Sequence, residues 1–150
     1  MVKIGEKAPD FKLPSGNGQT MSLRDLKGKK IVLYFYPKDD TPGCTKEACS
    51  FEQSNSALKK KGAVVIGVSA DNPDSHAKFA KKYGLSFPLL SDEKREIIKL
   101  YDVWKEKSLY GKKYFGIERT TFVIDENGIV RHIFNKVKVD GHTDEVLAVL

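Results

Sequence analysis

The sequence predicts an α/β fold, a layered sandwich with a mixed central sheet, flanking helices and an N-terminal β-hairpin. Three observations carry this reading. Residues 31–36 and 64–68 are unbroken apolar runs that fit strands buried on both faces. The segment between them has helical spacing, which makes a strand–helix–strand unit with parallel strands. Near the C-terminus, Asn127-Gly128 separates two further apolar runs, and Asn-Gly in that setting marks a hairpin.

At the N-terminus, Phe11-Lys12-Leu13 and Gln19-Thr20-Met21 read as short strands around the breaker-rich turn 14–18. Ser22-Leu23-Arg24-Asp25 carries a capping-box pattern and starts a short helical turn. The strand 31–36 ends at Pro37. Residues 42–60 then place Cys44, Ala48, Phe51 and Leu58 on one helical face, and the strand 64–68 follows. A second helix has Asn72 as N-cap and Pro73 in its first turn; His76, Phe79, Ala80 and Tyr83 share a face, and Gly84 is the stop. Asp92 caps a third helix carrying Ile97, Leu100, Tyr101 and Trp104. Strands 120–125 and 129–134 flank the Asn-Gly turn. A last helix starts at His142 and stops without a C-cap, so the natural chain is expected to run a few residues further. That order of elements suits a thioredoxin-like fold.

The chain has 150 residues, about one domain, and no linker, repeat or low-complexity tract divides it, so residues 1–150 are expected to form one unit. Hydrophobic residues at 40% and charged residues at 31% exclude a disordered or fibrous chain. No stretch approaches the roughly 20 apolar residues that cross a bilayer, and the first residues lack a signal-peptide pattern. A reducing cytoplasm and no membrane are therefore expected. The net charge of +6 is spread over short lysine clusters interleaved with acids, which reads as a solvated surface rather than a nucleic-acid site. Arginine suits bidentate and partly buried roles, and there are four: Arg24, Arg95, Arg119 and Arg131.

Both cysteines lie just past the C-terminal end of the first buried strand, the edge where open α/β sheets bind ligands. With Thr41 as N-cap and Pro42 as first helical residue, Cys44 falls in the first turn of the helix. Unpaired N–H groups and the positive dipole end favour a thiolate there. Cys49 comes five residues later. In an intact helix the two Cα atoms stand roughly 8.5–9 Å and about 140° apart, beyond the roughly 7 Å that a disulfide spans. Bonding would require the first turn to unwind, and so small a loop adds little stability. A transient disulfide fits this spacing better than a structural one. Small buried hydrophobes remain the plain alternative for both cysteines.

Metal binding ranks lowest, because C-x4-C matches no common zinc spacing and only His76, His132 and His142 are on hand. A dithiol oxidoreductase motif, C-x-x-C, is absent. No proline follows Pro88, so the cis-proline that thioredoxin-like enzymes set opposite their cysteines is lacking too.

The run Thr41-Pro42-Gly43-Cys44-Thr45-x-Glu47-Ala48-Cys49-x-Phe51, with Pro37 ahead of it, resembles the active-site signature of the peroxiredoxins. It is most similar to their Q-type branch, the bacterioferritin comigratory proteins. The likeness extends from Gly5-x-x-Ala8-Pro9-x-Phe11-x-Leu13 through Gly67-Val68-Ser69 to Gly116-Ile117-x-Arg119-x-Thr121-Phe122-x-Ile124-Asp125.

The resemblance implies that Cys44 is the peroxidatic cysteine, Cys49 the resolving cysteine on the same helix, and Arg119 the active-site arginine. Thr41 and Pro37 complete the motif. It further implies reduction of hydrogen peroxide and organic hydroperoxides, with recycling by thioredoxin or a similar dithiol donor. No cofactor and no metal are called for, and a monomer is expected. Glu47 either orients Arg119 or is a solvated helix residue. The reading requires the sulfur at position 44 to be ionised, open to small oxidants and close to Arg119. A non-catalytic binding module of the same fold, or a general dithiol oxidoreductase, stands as the alternative.

Overall fold

The computed structural model describes residues 2–150. A five-stranded mixed sheet forms its centre: β3 (Lys30–Phe35), β4 (Ala63–Ser69), β5 (Leu89–Ser91), β8 (Thr120–Ile124) and β9 (Val130–Phe134). Their order is β5-β4-β3-β8-β9. β3 pairs in parallel with β4 and antiparallel with β8, and the second pairing sets Phe35 opposite Thr120. The N-terminal hairpin is present, with β1 (Lys12–Pro14) antiparallel to β2 (Thr20–Ser22). A short 3-10 turn follows at Leu23–Leu26, where the Ser22 N–H donates to Asp25 Oδ2 at 3.0 Å.

β3 is apolar at every interior position because it is covered on both faces. Ile31, Leu33 and Phe35 point into a core shared with Phe11, Ile98, Tyr101 and Phe122. Val32, Tyr34 and Tyr36 point into a second core with Ala48, Phe51, Leu58, Phe79 and Val146. Helices α1 (Pro42–Gln53), α2 (Asn55–Lys60), α3 (Pro73–Tyr83) and α5 (His142–Ala148) supply that second layer. α3 matches its sequence signals: Asn72 accepts the Ser75 N–H at 2.8 Å, and Gly84 closes the helix at φ 64°. That left-handed turn is one glycine adopts without steric cost.

Three elements depart from the sequence reading. The helix expected over 42–60 is two helices, broken at Ser54 (φ −97°, ψ 4°). Ser54-Asn55-Ser56 are residues whose short side chains compete for backbone hydrogen bonds. Asn55 turns inward and donates to Ser86 Oγ at 2.9 Å.

The third helix is the short α4 (Glu96–Leu100), with Ile98 buried and Leu100 exposed. Asp92 acts from upstream of its N-cap, accepting the Ile98 N–H at 2.7 Å. Trp104 lies outside α4 and opens a hairpin that the apolar pattern did not announce, β6 (Trp104–Leu109) with β7 (Lys112–Ile117). Both of its faces are largely solvated, so no alternation marked it. The turn residues did: Tyr110 and Gly111 both have positive φ, at 52° and 77°. Among the described residues no helix is long and apolar enough to cross a membrane.

Candidate active site

β3 ends at Phe35 and the chain turns through residues 36–41 into α1. A buried polar cluster pins that turn. Asp39 accepts from the Tyr36 hydroxyl at 2.5 Å and from Ser75 Oγ at 2.8 Å, and it pairs with His76 Nδ1 at 2.7 Å. His76, wholly buried on α3, uses its Nε2 on the Leu90 carbonyl at 3.0 Å. The Asp39 N–H donates to Asp71 Oδ2 at 2.8 Å, so both its backbone and its side chain are held.

From this fixed turn Thr41 enters α1 as the N-cap in extended conformation, with Pro42 at the first helical position. The Thr41 hydroxyl donates to the Lys38 carbonyl at 2.9 Å and does not cap the helix. The first intrahelical bond runs from the Thr45 N–H to the Thr41 carbonyl. The N–H groups of Gly43 and Cys44 precede that ladder, at the positive end of the helix.

Cys44 lies on the buried face of α1 with Glu47, Ala48 and Phe51. Its Sγ accepts from Arg119 Nη2 at 3.4 Å, while Arg119 Nη1 donates to Glu47 Oε1 at 2.7 Å. The guanidinium thus forks between thiol and carboxylate. Glu47 is 1% exposed and its Oε2 has no hydrogen-bond partner among the described residues. Burial dominates its titration and pushes its carboxyl up to about 7, against the attraction of Arg119. Burial also works against the charge on Arg119, but Glu47 and Cys44 together outweigh it. Tyr34 forms the floor, its ring 4.8 Å from that of Phe51 and its hydroxyl without a partner. Burial, then the nearby charges of Glu47 and Cys44, keep that phenol neutral.

The structure therefore brings Cys44 and Arg119 into contact and places Thr41 at the head of the same helix. Pro37 is half-buried in the pinned turn. Cys49 is half-buried on the same unbroken helix, away from the buried face, and both cysteines are free. One expectation needs correction: Cys44 is 1% exposed, so its sulfur is not open to solvent in this state. The partly exposed residues beside it are Thr41, Gly43 and Arg119.

Two contributors were under-read in the sequence. Glu47 is three residues after Cys44, one helical turn on, and a carboxylate on the apolar face with Ala48 and Phe51 is the signal that gives it away. Gly43 left no signal in the residue pattern alone. Asp39, Asp71 and His76 have the atoms of a metal cluster within 4.8 Å of one another, but they already have hydrogen-bond partners: Asp39 Oδ2 pairs with His76 Nδ1, and Asp71 Oδ2 accepts from the Asp39 N–H and from Ser69 Oγ.

The AhpC/TSA family pattern matches residues 4–133. The chain is 50% identical to peroxiredoxin Bcp of Bacillus subtilis over 149 residues, covering 99% of this chain and 95% of the relative. It is 55% identical over 146 residues to a provisionally named peroxiredoxin bcp of Coxiella burnetii, covering 97% of each. Among solved structures, a Xanthomonas campestris bacterioferritin comigratory protein, studied for alkyl peroxide reduction, superposes with a TM-score of 0.88 at 44% identity. That match covers 93% of this chain and 88% of the other.

Proposed function

The chain belongs to the AhpC/TSA family and is a peroxiredoxin, a thiol peroxidase, and from that premise we propose how its own residues carry the reaction. Cys44, as the thiolate, attacks the terminal oxygen of a hydroperoxide. The O–O bond breaks, the sulfur becomes a sulfenic acid, and the leaving oxygen takes a proton to depart as water or an alcohol. Arg119 holds the thiolate and donates to the charge spreading over the peroxide, while Glu47 orients the guanidinium. Thr41 and Pro37 set the entry to α1. Hydrogen peroxide and organic hydroperoxides are the substrate class, in keeping with the alkyl peroxide reduction studied in the Xanthomonas relative.

Cys49 then resolves the sulfenic acid: its thiol sulfur bonds to Cys44 Sγ and water leaves. The two residues sit on one intact helix, so the start of α1 must unwind first. A thioredoxin or comparable dithiol donor reduces the resulting disulfide. Two free thiols suit a reducing, cytoplasmic setting, and the residues named here all come from one chain, which serves as a monomeric, single-domain catalyst.

The observation that carries this reading is the fork of Arg119 between Cys44 and Glu47. The test is stoichiometric thiol loss on mixing reduced protein with hydrogen peroxide. Wild type should lose two thiols per chain, and Cys49→Ser should stop at a sulfenic acid that dimedone traps. Cys44→Ser should not react. Equal peroxide consumption by Cys44→Ser would overturn the assignment.

A further inference from the structure

The β6–β7 hairpin carries no part of the chemistry above, yet its surface composition is unlike that of the rest of the molecule. Cross-strand partners share a face, so the register puts Lys105, Lys107, Leu109, Lys112 and Tyr114 together on one side. That face has three lysines and no acid of its own, with Lys105 paired to Asp102 at its base at 3.4 Å. The opposite face holds Trp104 and Phe115, whose rings stack 6.4 Å apart, with Lys113 and Glu106 near the tip. The tip itself is apolar and bare, with Tyr110 97% exposed and Leu109 57%; behind it Tyr114 is 46% exposed on the lysine face and Phe115 59% on the other. Apolar side chains grouped at such exposure mark a contact surface rather than ordinary surface scatter.

We propose that the β6–β7 hairpin is a membrane-docking element, seating Leu109 and Tyr110 in the headgroup region of an anionic bilayer while its lysines meet the lipid phosphates. Aromatic rings with lysines beside them are the composition that settles at such an interface, the ring at headgroup depth and the ammonium reaching out to phosphate. A second copy of the chain fits poorly, because a two-fold contact would set the lysine face against itself. Lysine is also depleted in protein–protein interfaces, which makes an acidic protein the weaker occupant. The absence of a long apolar helix bears on spanning a membrane and not on touching one.

The charge extends beyond the hairpin. Lys136 and Lys138 are exposed on the segment whose Val137 N–H donates to the Arg119 carbonyl at 2.9 Å. Only Glu118 separates β7 from Arg119, so docking would bring the Cys44 site to the lipid surface. Lys107, facing the same way, has its ammonium held below the ordinary lysine value by burial and by Arg119. The proposal stands without the peroxidase reading, since it concerns the surface alone.

The test is flotation of the full chain with vesicles of phosphatidylcholine, with and without phosphatidylglycerol. Wild type should float with the phosphatidylglycerol vesicles, lose that binding as salt is raised, and remain unbound with phosphatidylcholine alone. Leu109→Ser with Tyr110→Ser should weaken binding by about tenfold or more. Lys112→Gln, on the lysine face, should weaken it by roughly fivefold. Both variants should keep the circular dichroism and the hydrogen peroxide turnover of wild type in solution. Equal flotation with the two lipids, or variants that float as wild type does, would overturn the proposal. So would a complete lack of flotation, which would leave the surface to an acidic protein. Loss of peroxide turnover in all forms with flotation intact would count against the peroxidase reading only.

Discussion

Gly43 and Arg119 are so close that a Cβ on Gly43 would stand 3.1 Å from Arg119 Nη2. The guanidinium is held at its other end by Glu47, so a methyl group at position 43 has to shift Nη2, the nitrogen that donates to the thiol, by a few tenths of an ångström. Glycine serves here for lack of bulk.

Gly43→Ala should therefore fold as wild type does and lose peroxidase activity. Loss of a hydrogen bond to a charged group, about 1.5–3 kcal/mol, corresponds to a fall in kcat/KM of roughly 10- to 100-fold. Stopped-flow reduction of hydrogen peroxide measures it. An alanine variant with wild-type kinetics would show that the fork of Arg119 is not needed.

Arg119→Lys should fare little better than Arg119→Met. A lysine ammonium cannot reach thiol and carboxylate in the two-pronged geometry seen here. Both variants should lose at least tenfold in kcat/KM, and recovery by lysine to near wild type would mean that charge alone suffices.

Glu47 predicts a stability profile with a definite sign. Its carboxyl ionises at about 7 in the folded chain against an ordinary 4.5, with burial as the leading cause. Between those values the folded state holds a proton that the unfolded state has released. The stabilisation is thus whole below about pH 4.5 and lost as pH rises to about 7. Relative to Glu47→Gln, wild type should lose on the order of 3 kcal/mol across that window in urea unfolding. Parallel profiles for the two proteins would contradict it.

The Asp39–His76 pair should be a stability determinant with a functional echo. Truncating His76 to alanine removes one of the three side-chain partners of the buried Asp39 carboxylate, which keeps the Tyr36 and Ser75 hydroxyls, at a cost of about 1–3 kcal/mol. The midpoint of chemical denaturation should fall accordingly. Activity at low temperature, where the variant is still folded, should fall too, because the turn that leads into α1 is no longer pinned.

Hydrogen exchange should locate the unwinding that resolution requires. Oxidised protein should lose protection over residues 43–49. Protection should return past Ser50, which bonds Thr143 of α5 at 2.7 Å, and Phe51, which is fully buried. Unchanged protection over the first turns of α1 would rule out a Cys44–Cys49 bond formed by local melting.

The fold was legible wherever burial imposes a period. β3 and β4 announced themselves as apolar runs, α3 by its cap, face and stop, and the β8–β9 hairpin by Asn127-Gly128. The β6–β7 hairpin was hidden because it buries almost nothing, so its residues follow no alternation. The break at Ser54 was hidden because one apolar face continues across it from Phe51 to Leu58. In the site, the thiol and its helix start were readable from spacing along the chain. The distant partners were not readable from spacing: Arg119 came from family likeness, and its contact with Gly43 depends on where the fold sends the arginine side chain. That Cys44 is enclosed rather than open is likewise a property of packing, to which spacing is blind.

Thr120 is laddered to Phe35, so the strand that delivers the cysteine also indexes the residue next to the arginine. Reagent and catalyst are thereby referenced to a single backbone pairing, and the hairpin residues 105–116, none of them buried, do not have to measure the distance between them. That tip can be exchanged or lengthened, as a swappable attachment, while the guanidinium keeps its address.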